Sequence, residues 1–416
     1  MSKTQSKPLS IVFVTNNYIP YAGGVVNSIE TARAALQALG HKVTIVTLDF
    51  TGALHESESG VIRLLCPIRF VHKKNIMAVP WRPTHEIEKV IAQIKPDILH
   101  THHPFLLGQS AAKVARRHGI PSVFTYHTLY EDYAHYVPLP QTLTRFVTMQ
   151  LVNRYCQKMN AIIAPSESVK RIIENQQIKT PVSVIPSSID VQFLSPAIRE
   201  FKNFSHGPFR LLCVTRFVKE KNVSLLLDVF AQLIVQPCAP PYTLTLIGYG
   251  YEFEALQTYA YEHHQFSPAQ VQFIHKPKKE VIIEWYRTAD LFLFSSASDT
   301  QGLVLAEAMG AGMPIVAVDG PGQQSVINQG KNGFIVQSRD EMVATIALIA
   351  SDNTLRQRLS VGAWQTAQRY TPERMAHALV DLYCGLISQV HCSKSFRASC
   401  LPAEAGAEGG ACRRID

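Results

Sequence analysis

No apolar run in this 416-residue chain reaches the roughly 18 residues that a membrane-crossing helix needs, so a helical membrane span is excluded. The opening stretch, Met1 to Pro8, is polar and passes straight into strand-like apolar residues, so a cleaved export signal is not expected and a cytoplasmic location is. Eight cysteines stand at 66, 156, 213, 238, 384, 392, 400 and 412, without a CxxC pair or a zinc-type cluster, which fits reduced thiols rather than a disulfide framework. No D-x-D pair is present to hold a divalent cation, so neither a metal nor any other cofactor is expected. A complete G-x-G-x-x-G is also missing, which counts against a dinucleotide site. Dense basic stretches interleaved with stacking aromatics are absent too, and nucleic acid is not expected as a partner. Charged residues make up only 17%, against 46% hydrophobic, a balance that excludes general disorder and suits large buried sheets. The net charge of +8 is spread along the chain and fits phosphate-bearing substrates, anionic lipid or plain solubility.

The length suits two domains of about 150 to 200 residues each, with a cleft between them. Leu9 to Thr15 reads as a buried strand, followed by a Gly-containing loop, a helical pattern from Val26 to Leu39 stopped by Gly40, and a strand at Val43 to Leu48. This βαβ rhythm recurs at Ile98 to His100, Ser122 to Tyr126 and Ala161 to Ala164. The helix before the last of these carries an apolar stripe of Leu143, Val147, Leu151 and Tyr155 that is expected to lie in the core. A second series has strands at Arg210 to Thr215, Thr243 to Ile247, Val271 to Ile274, Leu291 to Phe294 and Pro314 to Val318. The pattern predicts an α/β chain of two Rossmann-like, doubly wound parallel-sheet domains, residues 1–195 and 196–371, with ligands outside the carboxyl ends of the strands. A helix over 372–390 is expected to return to the first domain, and 391–416 to be a loose tail.

Chemistry is concentrated at strand ends. In Ser298-Asp299-Thr300-Gln301-Gly302-Leu303-Val304-Leu305-Ala306-Glu307, a helix opening at Gly302 would point the amides of Gly302, Leu303 and Val304 at a pyrophosphate, with Glu307 one turn further in, placed for a ribose. A capping Asp plus a surface Glu would explain the same spacing. Arg216 and Lys221 follow the first strand of the second half and could neutralise a diphosphate leaving group; a solvated basic turn would look alike. Gly23-Gly24 leaves room for a phosphate or a sugar, or forms an ordinary turn. His127 ends the strand from Ser122, where an imidazole could bond sugar hydroxyls or accept a proton, or be purely structural. Tyr126, Tyr130 and Glu131 belong to an aromatic, acidic stretch that suits an amphiphilic acceptor. Arg69, His72, Lys73, Lys74 and Arg82 mix with Phe70, Ile76, Met77 and Trp81, as on a protein resting on an anionic leaflet or in a mobile, solvated loop. The helix after Pro140 could add Arg145, Arg154 and Lys158.

Together these motifs resemble glycosyltransferase family 4, retaining enzymes of the GT-B architecture, over nearly the whole chain to about Val390. Gly23-Gly24, Arg216, Lys221 and Asp299 to Glu307 look like that family's glycine loop, its phosphate-binding cations and its E-x7-E motif. The stretch from Thr125 to Tyr133 is similar to family members that build monoglucosyldiacylglycerol at the inner face of bacterial membranes. The resemblance implies transfer of glucose from UDP-glucose to a lipid acceptor such as diacylglycerol, without a metal. It implies His127 near the reacting carbon, Arg216 and Lys221 on the diphosphate, Glu307 on the ribose and Asp299 on sugar hydroxyls. Ser166 and Ile185 to Asp190 fit the interdomain hinge. The first domain would bind the acceptor and the second the nucleotide sugar. Three positions depart from the pattern: Asp299 stands where Glu is usual, Thr215 where Gly precedes the Arg, and Ser187-Ser188 where Thr-Gly is usual. A phosphatidylinositol mannosyltransferase, an N-acetylglucosaminyltransferase and a non-catalytic sugar-nucleotide binder are the competing expectations.

Overall fold

Continuous apolar runs such as Ile11 to Val14 can form a strand only where both faces are covered, and a parallel sheet clad in helices supplies that cover. The computed structural model, which describes residues 7–19, 23–50, 52, 59–72, 75–130, 141–195, 207–237 and 240–399, builds two such sheets. In the first lobe the chain runs through β1 (Ser10–Val14), α1 (Gly24–Ala38), β2 (Lys42–Leu48), β3 (Val61–Leu64), β4 (Ile68–His72), β5 (Asn75–Val79) and α2 (Pro83–Ile94). It continues through β6 (Ile98–Thr101), α3 (Leu107–His118), β7 (Ser122–Thr125), α4 (Gln141–Cys156), β8 (Ala161–Ala164), α5 (Glu167–Asn175) and β9 (Val182–Val184). Seven strands pair in the order β3-β2-β1-β6-β7-β8-β9, all parallel, while β4 and β5 form a separate antiparallel hairpin.

The second lobe comprises β10 (Phe209–Arg216), α6 (Val223–Ile234), β11 (Tyr242–Tyr249), α7 (Phe253–Thr258), β12 (Val271–His275), α8 (Lys279–Thr288) and β13 (Leu291–Phe294), then α9 (Leu303–Gly310), β14 (Ile315–Val318), α10 (Pro321–Val326), β15 (Gly333–Val336), α11 (Arg339–Ser351) and α12 (Asn353–Ala367). Its six strands are parallel in the order β12-β11-β10-β13-β14-β15. In each sheet the order reverses once, between β1 and β6 and between β10 and β13. Loops after those strands diverge and leave the gap that doubly wound proteins use for ligands.

The last helix, α13 (Pro372–Ser399), crosses back to the first lobe. Met375, Ala376, Leu379, Val380, Tyr383 and Leu386 join the same buried cluster as Ile11, Phe13, Ile29 and Leu36 of β1 and α1. The chain therefore passes between the lobes twice, and the two crossings touch where the Ile189 amide donates to the Tyr370 carbonyl at 2.9 Å.

Four features differ from the sequence-based expectation. Ile68–His72 and Asn75–Val79 pair as a β-hairpin, and the edge strands β3, β9 and β15 are too incompletely buried to show a continuous apolar run. Helix α13 runs nine residues past 390 to Ser399, so the loose tail does not begin at 391; residues 400–416 lie outside the described ones. Most of the α4 stripe is not core: Leu143, Val147 and Leu151 are 54, 47 and 45% exposed, as is the neighbouring Phe146 at 64%, and of the stripe Tyr155 alone is buried. Helical period identifies an apolar face but not what covers it.

Candidate active site

Strand β10 ends in Arg216, and a short helical turn over Lys219–Lys221 follows it. Lys221 is buried, and its ammonium donates to the Asp299 carboxylate at 2.7 Å and to Ser296 Oγ at 3.4 Å. The turn is tied to the neighbouring strand end, because Ser295 Oγ donates to the Lys221 carbonyl at 2.7 Å. Arg216 is 45% exposed and lies 3.7 Å from Glu220, an i,i+4 pair too open to hold the guanidinium firmly. The loop after β10 thus supplies one buried and one exposed cation, and the loop after β13 holds the buried one.

Asp299 stands on the loop that leads into α9. Gly302, in the left-handed region at φ 66°, caps that helix without a side chain, so the first-turn amides of Leu303 and Val304 have no intrahelical acceptor. The Asp299 carbonyl accepts from the Gly322 amide at 2.8 Å, and the Gln323 side chain donates to the Ser296 carbonyl, which pins the loop onto α10. Glu307 lies one turn into α9, partly buried, and accepts from the Tyr286 hydroxyl at 3.1 Å. Burial raises its carboxyl to about 7; the Tyr286 hydrogen bond and the Lys279 ammonium oppose that rise, and Asp190 adds to it. Such a group can take hydroxyl donors when ionised and is half protonated near neutrality.

The first lobe meets this loop directly. Thr300 Oγ1 donates to the His127 carbonyl at 3.0 Å, Ser166 Oγ donates to the Thr300 carbonyl at 2.9 Å, and Gln301 exchanges two bonds with the Ser187 backbone at 3.0 and 2.7 Å. Ser187 also bonds Ser28 of α1 at 2.7 Å, and Asp190 pairs with Lys279, so the Ile185 to Asp190 stretch touches both lobes. Behind His127 lies a set of imidazoles. His127 Nε2 is 2.9 Å from His102 Nδ1, and His103 Nδ1 accepts from the Asn16 amide at 3.2 Å. Burial pushes His127 down to about 3, helped by His103 and His100, and burial alone pushes His103 to about 4; both rings are neutral at pH 7. Around Gly23 and Gly24, at the start of α1, nothing among the described residues lies within 4 Å of where a Cβ would stand.

The structure therefore gathers His127, Lys221, Asp299, Gly302, Leu303 and Val304 at the seam of the lobes, with Glu307 and Arg216 on adjoining turns. It corrects two acceptor candidates. Tyr126 is fully buried, its ring edge-on to Phe124 at 5.9 Å and to Tyr130 at 5.2 Å, and Tyr130 is buried against Phe105 at 5.8 Å. Both rings belong to a buried core cluster of the first lobe. Glu131 lies outside the described residues, as do Lys73 and Lys74. Arg69 is drawn inward, because its guanidinium donates to the fully buried Asp49 carboxylate at 2.6 Å. His102, His103, Ser296, Gln301 and Tyr286 escaped the sequence reading; a His-His pair directly after the Ile98 to His100 strand was the one available signal.

Family comparisons cover this same ground. Residues 22–193 match the model of Glycosyltransferase Family 4, and residues 195–365 match that of Glycosyl transferases group 1. The chain belongs to glycosyltransferase family 4. It is 26% identical over 391 residues to an alpha-monoglucosyldiacylglycerol synthase of Acholeplasma laidlawii, covering 89% of this chain and 96% of that protein. The enzyme of the same name from Streptococcus pneumoniae is 27% identical, over 90% of this chain and 86% of its own. A GDP-mannose-dependent alpha-mannosyltransferase of Corynebacterium glutamicum is 23% identical over 92% and 90%. Among solved structures, a sucrose-phosphate synthase of Thermosynechococcus elongatus superposes with a TM-score of 0.74 at 18% identity, covering 91% of this chain and 100% of that one. The Anabaena protein HepE in complex with UDP-glucose gives 0.67 at 18%, again over 91% and 100%. The fold of this glycosyltransferase is accordingly GT-B: two parallel-sheet α/β domains with their strand ends turned to one another.

Proposed function

We propose that this glycosyltransferase moves glucose from UDP-glucose to the hydroxyl of a diacylglycerol-type lipid, with retention and without a metal ion. The observation that carries the reading is the Asp299 loop, which holds the buried Lys221 ammonium, opens into uncapped helix amides and reaches the His127 carbonyl of the other lobe through Thr300. As the bond between the anomeric carbon and the phosphate oxygen breaks, negative charge grows on the diphosphate. Lys221, Arg216 and the α9 amides neutralise that charge, the task a divalent cation performs in other designs. The lipid oxygen bonds to the same face of the sugar and its proton passes to the departing phosphate. Asp299 holds sugar hydroxyls, His127 lies beside the reacting carbon, and the Gly23-Gly24 backbone admits the sugar. Retention is supported by the relatives' names, since an alpha-glucoside made from an α-linked donor keeps its configuration.

A lipid acceptor is supported by those names and by two sets of exposed apolar side chains. Hairpin residues Phe70, Ile76 and Met77, together with Trp81, are exposed, as are Leu143, Phe146, Val147 and Leu151 of α4. Exposed Arg82, Arg145 and Arg154 accompany them. Large apolar groups mixed with cations suit a peripheral protein whose apolar side chains enter an anionic leaflet. Among the described residues no helix is long and apolar enough to cross a membrane.

The reading is tested by offering UDP-glucose with diacylglycerol in phosphatidylglycerol vesicles and analysing the lipids by mass spectrometry. A monoglucosylated diacylglycerol that still forms in excess EDTA is expected. Product from GDP-mannose alone would transfer the reading to mannosyl transfer. Co-sedimentation with these vesicles should fall about tenfold in the double variant Phe146→Glu, Val147→Glu, the equivalent of roughly 1.4 kcal/mol. Unchanged sedimentation would remove α4 from the membrane face.

Glu307 gives a separate prediction. If its carboxylate holds the ribose diol, UDP binding must expel the proton present below pH 7, so affinity drops toward the limiting tenfold per pH unit as pH falls from about 7. Glu307→Gln should bind more weakly and lose that slope, leaving only the titration of UDP itself; isothermal titration at pH 6, 7 and 8 checks both. For the fold the sign is opposite. A carboxyl raised from 4.5 to about 7 binds its proton more tightly folded than unfolded, so its cost to stability eases as pH drops through that window.

A further inference from the structure

Behind the seam, three histidines form a stack. His100 and His102 rings lie 4.4 Å apart at 27°, and His102 and His127 rings 5.2 Å apart at 26°. Phe13 meets the first two edge-on at 5.1 and 5.0 Å, which leaves their planes little freedom. His100 uses both ring nitrogens: Nδ1 is 2.6 Å from the Tyr383 hydroxyl of α13 and Nε2 is 2.6 Å from Thr125 Oγ1. His102 uses only one. Its Nδ1 faces His127 Nε2 at 2.9 Å, while its Nε2 is buried without a partner. His127 has no other side-chain partner among the described residues and is partly exposed at the seam.

Hydrogen-bond accounting then fixes the protons. Both rings are neutral, so each carries one N–H, and a bond between the facing nitrogens requires one proton between them, not none and not two. If that proton sat on His127 Nε2, the His102 proton would have to sit on its own Nε2, a buried donor with no acceptor. If it sits on His102 Nδ1, the idle atom is an acceptor lone pair instead. Orphaned buried N–H groups are rarer in folded proteins than under-used acceptors. We infer that His102 is a positioning residue that holds His127 in the Nδ1–H tautomer, so that His127 offers the substrate a hydrogen-bond donor and not a base. On the proposed glycosyl-transfer reading, that donor meets an oxygen of the sugar or its phosphate, and the acceptor's proton has no route to His127.

The test uses the full-length protein with 15N-labelled histidine and long-range proton–nitrogen correlation spectra, which distinguish the two neutral tautomers directly. His127 should appear protonated on Nδ1 in the wild type, with its Nε2 showing the nitrogen shift of a hydrogen-bonded acceptor, and His102→Leu should abolish that acceptor shift. Turnover of UDP-glucose in His102→Leu should drop by about 10–100-fold, the size seen when the partner that orients a functional imidazole is removed. His102→Asn, whose amide N–H can stand where Nδ1–H stood, should recover most of that loss. A wild-type His127 protonated on Nε2 overturns the inference, whatever the kinetics. Equal loss in the Asn and Leu variants, or wild-type turnover in His102→Leu, removes the positioning role. If the wild type turns over no donor at all, that failure belongs to the functional reading, and the spectrum still decides the tautomer.

Discussion

Lys221→Ala is expected to lower kcat/KM by about 10²–10³-fold, the usual loss when one preorganised group facing a developing negative charge is deleted. It should also cost stability of about 1.5–3 kcal/mol, because Asp299 loses a charged hydrogen-bond donor at 2.7 Å inside a partly buried loop. Arg216→Ala separates the two effects. Its guanidinium is half exposed and pairs only loosely with Glu220 at 3.7 Å, so turnover should drop by a similar factor while the melting temperature barely moves. Stopped assays of UDP release and thermal denaturation of both variants give the comparison. Full activity in Arg216→Ala would show that this cation stays in solvent through the reaction.

Gly248→Ala is expected to damage fold and activity together. Gly248 sits on β11 opposite Thr215 of β10, and an added Cβ would lie 1.7 Å from the Thr215 carbonyl oxygen. Backbone must move to relieve that contact, and the backbone concerned is the last turn of strand before Arg216. Overpacking of this kind costs about 3 kcal/mol, which in a lobe of this size lowers the melting temperature by roughly 6–12 °C. kcat/KM should decline with it as Arg216 is displaced. Gly385→Ala supplies the contrast: this glycine is exposed on α13 with nothing within 4 Å, so the substitution should leave activity alone and slightly stabilise the helix. Circular dichroism melts and initial rates on the two variants distinguish a local clash from a general intolerance of substitution.

The alternation of apolar strands with helical periods was enough to place β1, β2, β6, β7, β8 and the strands β10 to β14 of the second lobe, because burial on both faces leaves a continuous apolar run. Edge strands such as β9 and β15 are only partly buried and leave no comparable trace. Of the site, Arg216, Lys221, Asp299 and Glu307 were legible because each stands in a short motif at a strand end. Tyr126 was misassigned for a physical reason: the residue after a strand can turn either way, and the apolar ring turned into the core while the neighbouring His127 stayed at the seam. His102 and Tyr286 were unreadable because their importance lies in pairings across 25 and 21 residues, with His127 and Glu307, and no local pattern encodes such a pairing. The α4 face shows the same limit, since its period was correct and its neighbour was not.

Helix α13 sets the order in which the molecule can be completed during synthesis. Its residues from Met375 to Leu386 finish the core that β1 and α1 begin, so the opening segment of the chain waits for nearly the whole polypeptide to emerge before its apolar surface is covered. The middle segment, from β10 to α12, is contiguous and can close first. Domains usually mature from the N-terminus onward as they leave the ribosome; here the lobe made first is sealed last, and a chain cut short before residue 372 would carry a second lobe tethered to an unfinished first one.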